Sequence, residues 1–296
     1  MIDPELESAR PMEGAGFGDA VTFAFGDPAT QTFGSVRFGI AAGDPAVTSV
    51  TLLFHEGDVV AVDSAQGRAQ GVHDWARVDA GDASATIGEP LRRWEVGYDG
   101  DDAGFELTFE ALGPPAEIGD DALARSAAAI RGYEQLCRVR GTARVGERSW
   151  PIDCLGQRGH QWGAPDWTQL DLTRTLSVWL DDDHGVTLTA VRPRGADGHE
   201  EELVSAFLLQ DEPVAIDDPR LSTAHGADGR HERAGLELWI SDSDDEDDQR
   251  APLRAAGEAV CGTTFELGEL RLDCAFFTWR MEGRRGVGRY DLLRRA

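Results

Sequence analysis

The 296-residue chain contains no lysine and no asparagine, so every permanent side-chain cation in it is an arginine. That double absence removes several chemistries by inventory alone. Schiff-base and pyridoxal enzymes need a titratable amine, and the phosphate loop of nucleotide hydrolases ends in Gly-Lys-Ser/Thr. Cys-His-Asn sites and N-glycosylation need an asparagine. A GC-rich genome is the plain source of the bias, because Lys and Asn codons are AT-rich. Basic residues of any kind are scarce, 28 against 54 acidic ones, and the formal net charge of -26 argues against nucleic acid or an anionic membrane as a partner. Long apolar runs are missing too: no stretch approaches the ~18 residues of a membrane span. The start, Met1-Ile2-Asp3-Pro4-Glu5, has neither the basic nor the apolar region of a signal peptide. A cytoplasmic protein without membrane insertion is the expectation. There is no CxxC among the cysteines, and His184, His199, His225 and His231 have no paired-ligand spacing, so no metal is expected. The segment Gly14-Ala15-Gly16-Phe17-Gly18 precedes its strand and no helix follows it, so no dinucleotide cofactor is expected either.

What is present reads as strand almost throughout. With 41% hydrophobic residues, eight Trp and 12 Phe, the chain has material for a core. Val21–Phe25, Thr32–Ile40, Val50–Phe54 and Val59–Val62 are short, rich in β-branched and aromatic residues, and separated by Gly, Asp or Pro clusters. Trp94–Tyr98 and Phe105–Phe109 flank a Gly/Asp loop suited to a hairpin. In this first half the one good helix candidate is Asp121–Ile130. A second series of strands starts at Tyr133 and runs to Leu293. Two consecutive meanders predict an all-β chain of two antiparallel barrels with few short helices, residues 1–131 and 132–296, the boundary falling near 112–132. The acidic run Ser241–Gln249 reads as a solvated loop.

The four cysteines allow a register argument. If Val145-Gly146 and Leu267-Gly268 are two-residue turns, Cys137 faces Cys154 and Cys261 faces Cys274 at non-hydrogen-bonded sites, where cross-strand disulfides could form. The alternative is two pairs of reduced, buried thiols, which the expected compartment favours.

The segment Gly156-Gln157-Arg158-Gly159-His160-Gln161-Trp162-Gly163-Ala164-Pro165-Asp166-Trp167 is chemically dense. In an extended conformation Arg158, His160 and Trp162 project to one face. An imidazole, a fixed cation and an aromatic surface pointing the same way could polarise or protonate a ligand, and His160 is the side chain there suited to general acid-base work near neutrality. The structural alternative is a buried Arg158–Asp166 pair with His160 hydrogen-bonded and the two Trp packing a junction.

Together with Tyr133-Glu134-Gln135 upstream, this segment resembles the lipocalin-like family of AttH proteins and carotenoid hydratases (hydroxyneurosporene synthases). The resemblance is densest over residues 133–167. It implies two consecutive lipocalin-like β-barrel domains with the signature early in the second. Gly159 stands where the family commonly has an acidic residue, and Ala164-Pro165 replaces its x-Arg before Asp-Trp. The hydratases' His-x-Trp carries over to His160 and Trp162, whereas their Tyr-x-Asp has no counterpart in the strands at Arg174–Leu180 and Val186–Val191.

Three roles fit these residues. The first is a protein that binds a hydrophobic small molecule, terpenoid or polyketide-like, in a barrel or inter-barrel pocket, with Trp162, Trp167, Tyr133 and Glu134 as ligand-binding residues. The second is a cofactor-independent hydratase or isomerase using His160 or Asp166 as proton donor and Arg158 as electrostatic stabiliser. The third is a structural or interaction protein whose barrels are filled by side chains.

Overall fold

Alternating apolar residues bounded by turn residues give strands that bury one face, and here they assemble into two antiparallel sheets. The computed structural model describes residues 4–11, 14–44, 46–68, 75–118, 121–196, 202–240 and 252–295. The acidic run Ser241–Gln249 lies outside the described residues. The chain divides into two compact units, Met1–Trp167 and Thr168–Ala296.

The first unit begins with a meander of β1 (Gly18–Asp27), β2 (Thr32–Ala41), β3 (Ala46–His55) and β4 (Asp58–Arg68). It continues through β5 (Arg77–Ala80), β6 (Ala83–Glu89), β7 (Arg93–Asp99) and β8 (Ala103–Ala111). The short β9 (Ala116–Ile118) leads to two long strands, β10 (Ile130–Val145) and β11 (Arg148–Gly163). The sheet order is β4-β3-β2-β1-β11-β10-β8-β7-β6-β5, with β9 beside β10. Ser49 Oγ donates to the Ala80 carbonyl at 2.9 Å, drawing β3 towards β5, so the sheet curls into a nearly closed barrel. Val21, Phe23 and Phe25 of β1 point inward with Phe105 and Phe109, and the pairs Phe23–Phe109 and Phe25–Phe105 meet edge-on at 5.3 and 5.5 Å.

The division of the chain differs from the expected one. The strands carrying the signature are not the start of a second barrel: β11 pairs with β1 from Gly18↔Gly163 to Gly26↔Leu155 and so completes the first sheet. The physical reason is that β1, paired only with β2 by the meander, has a second edge whose backbone groups need a partner. Long-range closure satisfies it, and local periodicity carries no trace of that. The expected helix is shorter as well. α1 (Asp121–Arg125) is five residues long, and β10 takes over from Ile130.

The second unit holds β12 (Leu170–Asp181), β13 (His184–Pro193), β14 (Leu203–Leu209), β15 (Val214–Ala215), β16 (Asp218–His225), β17 (His231–Trp239), β18 (Leu253–Leu267), β19 (Leu270–Met281) and β20 (Arg284–Arg295). Their order is β15-β14-β13-β12-β20-β19-β18-β17-β16, a half-barrel around Leu176, Val178, Leu188, Leu236, Phe277, Trp279 and Tyr290. The chain between β15 and β16 is held to both sides, Ile216 N donating to Ala206 O and Asp217 N to Trp239 O, each at 3.0 Å. Farther along, β14 and β16 have no ladder with one another.

All four cysteines are free and buried. Both hairpins turn one residue later than the register argument requires. Val145 pairs with Arg148, so Cys154 faces Val139 and Cys137 faces Gly156. Leu267 pairs with Leu270, so Cys274 faces Thr263, while Cys261 faces Phe276 next to a bulge. The cross-strand disulfides are therefore not formed.

Two outcomes follow. Burial pushes the thiols of Cys137, Cys154, Cys261 and Cys274 up, so a thiol reagent at neutral pH should titrate none of them in the native protein and all four after denaturation. His231, whose Nε2 donates to Tyr290 O at 2.9 Å and whose buried Nδ1 has no partner, is held neutral by burial, below its ordinary value of 6.5. A lowered folded pKa contributes stability that is complete above 6.5 and lost as pH falls through the folded value. His231→Phe, which keeps the stack on Phe277, should therefore lose less Tm than the parent on acidification from about pH 7 to about pH 5 in parallel melts.

Candidate functional site

The inner face of β11 brings together three of the sequence-predicted residues. Register places Arg158 between Phe23 and Gln135, His160 between Val21 and Tyr133, and Trp162 between Asp19 and Arg131. Arg158, His160 and Trp162 thus project into the first barrel together with Tyr133, at one end of its apolar core.

The partners of these side chains come from the N-terminal segment. His160, 0% exposed, has Nε2 at 2.6 Å from Asp19 Oδ1 and Nδ1 at 2.9 Å from the Leu6 carbonyl. A carbonyl oxygen can only accept, so Nδ1 donates to Leu6, and Nε2 and Asp19 Oδ1 share one short hydrogen bond and the proton in it. Asp19 is held in turn by Trp75 Nε1 at 3.1 Å and by the Arg10 backbone N–H at 2.8 Å. Trp75, Tyr133 and Trp162 surround the imidazole with ring centroids at 6.3, 5.7 and 4.9 Å.

Arg158, 1% exposed, lies between two aromatic faces, its guanidinium carbon 4.5 Å from the Trp94 ring and 4.9 Å from the Tyr133 ring. Its Nη1 donates to the Tyr133 hydroxyl and is 2.9 Å from Glu7 Oε1. Glu7 also accepts from Trp94 Nε1, at 3.1 and 3.3 Å to its two oxygens. Burial draws the Arg158 guanidinium down to about 10, with Glu7 pulling the other way. Burial pushes the Glu7 carboxyl up against the pull of Arg158 and the hydrogen bond from Trp94. Two polar atoms of this cluster are buried without a partner, Arg158 Nε and Gln135 Oε1.

The remaining candidates stand elsewhere. Glu134 is on the opposite face of β10 from Tyr133, accepting from Gln157 and, at 3.4 Å, from Gln161. Asp166 and Trp167 follow β11, half-buried, and the Asp166 backbone N–H donates to Ala127 O at 2.8 Å. The ion-pair partner of Arg158 is Glu7, in place of the Asp166 considered from sequence. Glu7, Asp19, Trp75 and Trp94 were missed. The spacing of Asp19 before an inward-pointing Val21 and Phe23 carried a usable signal, an acid on the apolar face of a strand, whereas Glu7 lies in a short 3-10 turn (Pro4–Glu7) without periodicity.

A separate groove of about 1140 Å³ lies in the second unit, where β14 and β16 part. It is lined by Glu202, Val204, Leu221 and Leu236 and rimmed by Arg220, Arg254 and Arg280. Behind it Glu202 accepts from Arg174 and, at 2.8 and 2.5 Å, from Arg192. Among the described residues no group of three or more His, Cys, Asp or Glu is placed to hold a metal ion, and no helix is long and apolar enough to cross a membrane.

The departure at Gly159 has a structural reason. Gly159 is opposite Glu134, and a Cβ there would run into the Glu134 carboxyl. Gly159→Asp should lower stability by about 1–3 kcal/mol through overpacking and like-charge repulsion, and Glu134→Gln in the same chain should recover part of it, as read by denaturant titration.

This fold is shared with known proteins. The chain superposes on a protein from Nitrosomonas europaea designated AttH with a TM-score of 0.65 at 11% identity, covering 94% of this chain and 92% of that one. CghA, solved with Sch210972, gives 0.66 at 10% identity, covering 95% and 89%. Kievitone hydratase from Nectria haematococca gives 0.62 at 10% identity, covering 99% and 93%. At these identities the likeness is one of fold, and the fold is that of the AttH-like, lipocalin-like proteins. No curated protein matches the chain in sequence. Residues 3–295 match the family described as Domain of unknown function (DUF7064), and the chain belongs to that family.

Proposed function

We propose that the chain binds an apolar small molecule, terpenoid or polyketide-like, at the polar end of the first barrel, where Arg158, His160, Trp162 and Tyr133 point inward. The observation that carries this reading is the pair of orphaned polar atoms, Arg158 Nε and Gln135 Oε1, in a cluster otherwise rich in hydrogen bonds. Each buried group left unpaired costs about 1–3 kcal/mol, which a partner brought by a ligand would recover. A polar ligand group would complete it, while Trp75, Trp94 and Trp162 offer an apolar body aromatic surface.

A second reading is favoured by the proton on the His160–Asp19 line. Hydration or isomerisation of an alkene needs a desolvated acid: the proton leaves Nε2 for an alkene carbon, whose π pair forms the new C–H bond. Water then adds to the cation and returns a proton to Nε2, or an adjacent carbon loses one. Arg158 would stabilise any oxyanion that develops. The likeness to kievitone hydratase supports this reading at the level of fold.

Native mass spectrometry of freshly expressed protein should show a retained small-molecule mass. A terpenoid and polyketide panel should quench the Trp emission saturably, and Arg158→Met should weaken that binding about tenfold or more. No retained mass and no emission change across the panel would leave the structural role. For the second reading, incubation of a bound alkene in D₂O should incorporate deuterium at carbon, and His160→Gln should abolish it.

A further inference from the structure

The polar end of the first barrel is covered by the N-terminal segment Pro4–Arg10. Several polar contacts fasten this strap, three of them along its length. The Leu6 carbonyl accepts from His160 Nδ1 at 2.9 Å, Glu7 is beside Arg158 Nη1 at 2.9 Å, and the Arg10 backbone N–H donates to Asp19 at 2.8 Å. The Arg10 guanidinium also lies 4.1 Å from the Trp162 ring centroid. Apart from the short 3-10 turn and a single β-bridge at Ser8, the strap has no regular structure, so polar contacts and the packing of Ala9 rather than a continuous strand ladder hold it. Segments of that kind open at low free-energy cost relative to global unfolding.

Beneath the strap the sheet itself presents a receptor for a carboxylate. Arg158, Trp94 and Tyr133 belong to β11, β7 and β10, and their donors Nη1, Nε1 and Oη converge on the single carboxylate of Glu7, with Tyr133 Oη at 3.5 Å from Oε1. Two aromatic faces flank the cation, and the orphaned Nε belongs to the same guanidinium. A planar arginine fork with auxiliary N–H and O–H donors is how proteins hold a carboxylate. The three donors are fixed on strands of one sheet, β11 and β10 side by side and β7 beyond β8. The acceptor alone arrives on a strap outside the sheet.

We propose that the Arg158–Trp94–Tyr133 cradle is a carboxylate-binding site in which Glu7 is an internal stand-in, and that an apolar molecule bearing a carboxylic acid displaces Pro4–Arg10 to take its place. The identity of the displacing molecule rests on the small-molecule reading above; the cradle does not. Exchange of one carboxylate for another preserves the charge balance of buried Arg158, so the ligand need not overcome the cost of an unpaired buried cation.

Decanoate, with decanol as its uncharged match, tests the strap in the unaltered full chain. Decanoate should speed amide hydrogen exchange across residues 5–10 by about tenfold, and decanol should leave it unchanged. Glu7→Ala tests the cradle: acetate should restore its Tm saturably, acetamide and sulfate at matched ionic strength should not, and Glu7→Ala/Arg158→Met should show no rescue. Unchanged exchange with decanoate, equal effects of acid and alcohol, or rescue that survives loss of Arg158 would overturn the proposal. If Glu7→Ala does not fold, the exchange experiment decides alone. Quenching by neutral terpenoids without strap release would leave the binding reading standing and remove this one. Acetate rescue with no response to any apolar molecule would keep the cradle as a carboxylate site and overturn both the displacement of the strap and the small-molecule reading.

Discussion

The pairing of β1 with β11 is the constraint on which the first barrel and its polar cluster both depend. It joins the chain's first strand to a strand more than a hundred residues later, and it sets the register that puts Asp19 across from Trp162 and Val21 across from His160. A one-residue slip of β11 would turn Arg158, His160 and Trp162 to the other face and bring Gln157, Gly159 and Gln161 into the barrel. The apolar residues of β1 oppose that slip, because Val21, Phe23 and Phe25 are all less than 4% exposed in the same core. Hydrophobic pattern thus fixes the register, and the register positions the charges.

Buried charge then dictates what covers the barrel end. An isolated guanidinium or imidazolium in an apolar interior costs several kcal/mol, and a partner of opposite charge must approach from whichever direction remains open. The strands beside Arg158 and His160 supply aromatic rings and one amide, so one carboxylate comes from the edge of β1, as Asp19, and the other from beyond it, as Glu7. The two acids meet the two basic side chains in separate pairs, His160–Asp19 at 2.6 Å and Arg158–Glu7 at 2.9 Å. The opposing shifts of Glu7 and Arg158 have a common cause: for each, loss of water outweighs the attraction of its partner.

Much of the architecture was legible in the sequence because strands and turns are local. The alternation at Val21–Phe25 and the Gly/Asp loop after Tyr98 became strands and a hairpin, and the period of two put Arg158, His160 and Trp162 on one face. What was not legible depends on distance or on a single residue of register. A boundary near residues 112–132 fits the local change from strand to helix pattern, yet β9 and β10 carry the sheet straight past that point. The turn at Gly146-Glu147 sits one residue from the expected one, enough to separate Cys137 from Cys154. Arg158 was recognisable as a buried cation in search of an acid, but sequence proximity pointed to Asp166, whereas desolvation selects the nearest carboxylate in space. With no lysine in the chain, only arginine could provide that fixed charge, and its planar fork explains how one side chain can serve a carboxylate, a phenol and two ring faces together.

The second unit shows why the first is the one with an exchangeable partner. Its buried Arg174 and half-buried Arg192 share Glu202; Arg174 is in β12, Arg192 in β13, and Glu202 adjoins Leu203, the first residue of β14, which pairs with Val191. Glu202 is thus tied to a ladder by its immediate neighbour in the chain. In the first unit, Asp19 is within a strand and paired on both sides, β2 and β11. Glu7 differs from all of these. It sits eleven residues before the start of β1, and its separation from Arg158 leaves the pairing of β1 with β2 and β11 in place. Among the described buried carboxylates paired with a buried cation, Glu7 therefore stands farthest from any strand, so the barrel can keep its register when Glu7 leaves, and the site it vacates keeps its donors.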